Sequence, residues 1–147
     1  LGLVLAAHGF EVVGFDGGVR RVTAAEMVRQ RWVELHPEAP VAISFRAELF
    51  PKGFAAEVLS PARKNVLLVT NIVSTYSSEH QAEILKAAAC FDDLVLDLGR
   101  FCINRDQSDQ RAQLLRTMAG SLFMPQGLLY YASPNEFWHF RVRPILA

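Results

Sequence analysis

Asp16 and Asp97 each close a short apolar run and stand just ahead of glycine: Glu-Val-Val-Gly-Phe-Asp16-Gly17-Gly18 in one place, Leu-Val-Leu-Asp97-Leu-Gly99-Arg100 in the other. A run as apolar as residues 94–96 reads as a strand covered on both faces, and in α/β proteins such strands end at the edge where ligands collect. A carboxylate placed there can hold a hydrated metal ion, orient a water or accept a hydroxyl hydrogen bond. The plain alternative is that each aspartate only ends its strand and caps the following turn.

Other chemistry finds less support. Cys90 and Cys102 flank the second run, too far apart along an extended segment to pair unless the chain folds back. Together with the scattered His8, His36, His80 and His139 they give no metal-ligand spacing. Fifteen basic and fifteen acidic side chains cancel, so no net field draws the protein to nucleic acid or to an anionic membrane. The longest apolar run, Leu3 to Ala7, is far below the ~20 residues of a membrane span. No signal peptide is visible, and the expected location is cytoplasmic.

The elements that must position these acids follow from period and punctuation. The length, 147 residues with 51% hydrophobic and 20% charged, suits a single α/β domain. A helix over the first residues stops at Gly9, a strand runs to Asp16, and Thr23 to Glu26 has capping-box spacing for a helix reaching His36. Strands are expected over residues 41–45, 65–71 and 91–97, with Ser78 capping a helix whose apolar side carries Ile84, Leu85 and Ala88. Residues 46–64 leave room for one short helix. Residues 111–119 read as a helix, 121–132 as one interrupted strand or two short ones, and Ser133-Pro134-Asn135-Glu136 as the cap of a last helix. This alternation predicts a mostly parallel sheet with helices on both faces.

Phe91-Asp-Asp-Leu-Val-Leu-Asp97 resembles the Walker B strand of the MinD/ParA group of P-loop ATPases. Residues 5–18 are similar to the segment that follows the phosphate loop in that group, and Asp97-Leu-Gly-Arg100 with the later Tyr-Tyr-Ala-Ser-Pro turn resembles the branch related to the pilus-assembly factor CpaE. The resemblance implies a P-loop NTPase-like fold, ATP and Mg²⁺ as cofactors, slow hydrolysis, a homodimer and a protein complex to be positioned. It implies that Asp97 holds Mg²⁺ through water and that Asp16 places the attacking water. Gly17, Gly99 and Arg100 would belong to the nucleotide site, with Arg100 on a phosphate or a partner subunit, and Ser133 and Pro134 would border the base. The glycine-rich loop with its lysines has no counterpart here and would belong just upstream of Leu1, which is not a methionine. The expectation is therefore an N-terminally truncated domain, lacking the first strand and phosphate loop, that binds nucleotide weakly.

Three rival readings stand beside this one. Residues 9–16 also resemble the second strand of NAD-dependent dehydrogenases, where the terminal acid holds the ribose. A methyltransferase-like sheet likewise has an acid ending its second strand. A scaffold without catalysis would use Trp32, Phe137, Trp138 and Phe140 as a partner surface, although aromatics at such spacing are more often core. His139 reads as a packed or surface histidine whose one nearby carboxylate is Glu136.

Overall fold

The computed structural model describes residues 1–70, 77–98, 105–132 and 135–143. The chain divides into two compact units, Leu1–Phe54 and Ala55–Ala147. In the first, helix α1 (Gly2–Ala7) leads to strand β1 (Val12–Phe15), helix α2 (Val19–Leu35) and strand β2 (Ile43–Arg46). Gly9, at φ 87°, ends α1 as the sequence predicts: its N–H reaches the Ala6 carbonyl and the Phe10 N–H reaches Leu5, satisfying carbonyls that the helix end would leave open. Strands β1 and β2 pair in parallel, Val12 opposite Ile43 through Phe15 opposite Arg46, so the unit is a β-α-β turn around Ala6, Ile43 and Phe50. Phe15 meets Phe50 edge-on at 5.6 Å, Phe50 meets Phe54 at 5.3 Å, and the Arg46 guanidinium lies 5.5 Å from the Phe15 ring.

The second unit holds a four-stranded sheet in the order β3-β4-β6-β5, from Val66–Val69, Asp93–Asp97, Asn135–Val142 and Phe123–Ala132 respectively. Helices α3 (Ser78–Ala88) and α4 (Arg105–Ala119) complete it, and residues 46–64 contain one short 3-10 turn, Ala56–Val58. Strands β3 and β4 are parallel. Strand β6 runs antiparallel to both β4 and β5, which makes β5 parallel to β4. Leu94, Leu96 and Leu98 are at most 1% exposed and pack in a core with Ile84, Ala88, Leu114, Met118 and Phe140.

The α/β class and most elements follow the sequence, but several details differ. The expected single, mostly parallel sheet is replaced by a two-stranded parallel sheet and a four-stranded mixed one. The expected last helix is strand β6: Glu136, Phe140 and Val142 alternate inward, and pairing on both sides outweighs a local capping signal. Helix α2 begins at Val19, a turn before the Thr23 box, and the Thr23 hydroxyl donates back to the Val19 carbonyl. Its expected apolar face is not buried within the unit, with Met27, Val28 and Leu35 all more than half exposed. In α3 the cap is Ser77, whose hydroxyl accepts from the His80 N–H. The interrupted strand around Pro125 and Gly127 is one strand, β5, with irregularities at Gln126 and Leu129. Proline is tolerated there because β5 lies at the end of the strand order.

Leu96 is 1% exposed in the centre of this sheet. Leu96→Ala should lower unfolding free energy by about 2–5 kcal/mol in urea titration, the range for a buried leucine whose cavity cannot collapse. A loss below about 1 kcal/mol would contradict the packing described.

Candidate functional site

Asp16 stands immediately after β1, where the chain turns into α2. Its carboxylate accepts from the Gly18 N–H at 2.7 Å and from the Arg21 guanidinium at 2.7 to 3.0 Å. These bonds explain the early helix start, because they anchor the first turn around Gly18, whose carbonyl accepts from the Arg21 and Val22 N–H groups. The Asp16 side chain is nevertheless 40% exposed and Arg21 74%. The Arg21 hydrogen bond, opposed by partial burial and reinforced by the Gly18 N–H, holds the Asp16 carboxyl below its usual range. Asp16 is thus an accessible, ionised acceptor at a strand's C-terminal end. Beside it, a side chain at Gly17 would push the partly exposed Leu49 side chain aside.

Asp97 ends β4 but is only 4% exposed, and one carboxylate oxygen accepts the Glu136 N–H at 3.1 Å. It therefore ties β4 to the start of β6. Glu136, 8% exposed, turns its own carboxylate to Arg111 of α4 and to the Trp138 indole N–H at 2.6 Å. Asp16 and Asp97, expected at the rim of one shared sheet, belong to different sheets. Of the other expected site residues, Gly17 lies beside Asp16 in the turn into α2, while Gly99, Arg100, Ser133 and Pro134 lie outside the described residues.

Sequence reasoning missed a second buried acid. Asp93, at the other end of β4, is 2% exposed, paired with Lys64 and bonded to His139 Nε2 at 2.9 Å. Burial pushes its carboxyl up, but hydrogen bonds and charge from Lys64 and His139 outweigh this and leave it below the usual range. His139 pairs with this acid rather than with Glu136 because strand residues an odd number of positions apart point to opposite faces. The same period-2 rule puts Asp93 and Asp97 on one face, and that signal was present in the sequence. An open cleft of about 430 Å³ lies at the Asp93 end, between Lys64, Asp92, Asp93 and Arg141. Among the described residues no three His, Cys, Asp or Glu side chains are close enough to hold a metal ion. Cys90 is free and exposed, and no described helix is long and apolar enough to cross a membrane.

No family model matches this chain, and no curated protein matches it. Among solved structures it is similar to the PH0226 protein from Pyrococcus horikoshii OT3, with a TM-score of 0.57 and 11% identity over 95% of this chain and 75% of that one. At that identity the likeness is one of fold, and it supports the mixed α/β architecture.

The Asp93 cluster sets an acid limit on stability. Its pKa when folded lies below the ordinary 3.8, so its contribution is present above that value and is lost as pH falls through the folded one. The urea midpoint of the native protein should fall on acidification below about pH 4, and Asp93→Asn, already less stable at neutral pH, should show a shallower acid limb. Parallel limbs for the two proteins would remove Asp93 from this role.

Proposed function

We propose that this chain is an S-adenosylmethionine-binding domain of methyltransferase type, in which Asp16 accepts the hydroxyls of the cofactor's ribose. The strand arrangement carries the reading. A parallel α/β sheet closed on one side by a single antiparallel strand, inserted before the last parallel one, is how the methyltransferase-like sheet differs from the dinucleotide fold, whose strands continue parallel. The order β3-β4-β6-β5, with β6 alone reversed, has this form.

The residues present suit the ribose end of such a cofactor. Asp16 follows the first strand of a β-α-β unit, is ionised, and keeps a large part of its side chain open to solvent. Its present partner is an exposed arginine, and such surface pairs are worth only ~0–1 kcal/mol. A hydrogen bond from a hydroxyl to a carboxylate is worth about 1.5–3 kcal/mol, so a diol can displace or share the Arg21 contact at little cost. When bound, the cofactor supplies an electrophilic methyl carbon to a nucleophile; Asp16 fixes the adenosyl moiety and takes no proton in that transfer.

The ATP reading keeps one favourable observation, an acid at the C-terminal end of β4. It needs a phosphate loop beside Asp97, whereas both edges of β4 are taken by β3 and β6. It also needs Mg²⁺ at a carboxylate that already receives the Glu136 amide.

Calorimetric titration with S-adenosylhomocysteine, ATP–Mg²⁺ and NAD separates the readings. S-adenosylhomocysteine should bind, and Asp16→Ala should weaken it by roughly 10- to 100-fold, the loss of one or two hydrogen bonds to a charged acceptor. Asp97→Asn, which keeps an oxygen for the Glu136 N–H, should leave that affinity within about threefold. Binding of ATP–Mg²⁺ that disappears in Asp97→Asn would replace this reading with the ATPase one, and NAD binding would favour the dehydrogenase.

A further inference from the structure

Strand β5 is the last in its sheet, paired with β6 on one side and with no other described strand on the other. Its two halves differ. In the first, Pro125 lacks an N–H, the register shifts at Gln126, and the Gln126 side chain donates to the Met124 carbonyl at 3.2 Å. These features blunt an edge against pairing. In the second half, from Leu128, one irregularity remains at Leu129, but no proline removes a donor and pairing to β6 is regular from Tyr130 to Ala132. There the consecutive residues Leu128, Leu129, Tyr130 and Tyr131 are 48, 60, 55 and 67% exposed.

We propose that this half of β5 is a self-association surface, occupied by β5 of a second copy of the chain running antiparallel to it about a two-fold axis. Three observations favour a second copy over a foreign partner. First, no charged residue occurs from Leu122 to Asn135, so two such edges meet without opposing like charges, and there is no basic or acidic pattern that a charged partner would read. Second, the chain's formal net charge is zero, so copies do not repel at long range, a condition that favours self-association. Third, the four side chains expose on the order of 500 Å² per copy, of which an edge partner covers the flanking part, a size that fits a weak, reversible isologous dimer. Two tyrosines supply rigid contact area at low entropic cost, as interface residues commonly do. The surface lies wholly within the second unit and is independent of the cofactor reading.

The test is sedimentation equilibrium of the intact chain over roughly 1 µM to 1 mM, where weak dimers with micromolar dissociation constants are resolved. The weight-average mass should climb from one chain toward two. Leu129→Lys and, separately, Tyr131→Lys should weaken association at least about tenfold, since each brings two like charges together at the edge. Met27→Lys, at an exposed apolar position of α2, should leave it unchanged. Circular dichroism checks each fold, and either lysine variant on β5 suffices if the other fails to fold. A mass fixed at one chain at the highest concentration, association unaffected by both β5 variants, or association abolished by folded Met27→Lys would each overturn the proposal.

Discussion

Burying charged groups along one central strand is the constraint around which the second unit is arranged. Strand β4 has a neighbour on each edge, and each of its ends carries an aspartate that is almost completely out of solvent. A buried carboxylate without compensation costs several kcal/mol or must give up its charge. Asp93 is met by Lys64, just before β3, and by His139 of β6, while Asp97 is met by the Glu136 amide at the head of β6. Both solutions require β6 to lie beside β4 in one register. The reversed strand that bears on the functional reading is thus also a strand on which the polar interior depends.

The two ends of β4 and the end of β1 show how similar sequence signals lead to different chemical situations. Asp16 and Asp97 both terminate apolar runs, yet one stays open and ionised beside an exposed arginine while the other is folded into a strand junction. An accessible ionised acceptor suits a neutral diol, which supplies donors and brings no charge. A buried carboxylate sharing one oxygen with a backbone amide suits a structural tie. Glu136 extends that tie to α4 through Arg111 and turns its other contact to Trp138, so that a residue with the look of a helix-capping acid becomes a junction of sheet and helix.

Much of the local structure was legible in the chain. Gly9 ends its helix because only a residue without a side chain enters the left-handed region cheaply, and the apolar run before Asp97 forms a central strand because it can be covered on both faces. The expected caps near Thr23 and Ser78 were displaced to Gly18 and Ser77, where Asp16 accepts from the Gly18 N–H and the Ser77 hydroxyl from the His80 N–H. The candidate site was legible only in part. Asp16 and Gly17 could be picked out from their place after an apolar run, but the Lys64–Asp93–His139 cluster joins residues distant in sequence, and only period-2 alternation hinted at it.

Residue order alone determined the α/β class, the position of most helices and strands, and the presence of acids at strand ends, because hydrophobic period, glycine and proline act within a few residues of themselves. Tertiary structure decided that residues 135–142 form a strand, that the sheet is mixed, and which aspartate is buried. Those outcomes depend on hydrogen bonds and burial supplied by partners dozens of residues away, and a local capping signal worth about 1 kcal/mol gives way to two rows of strand pairing.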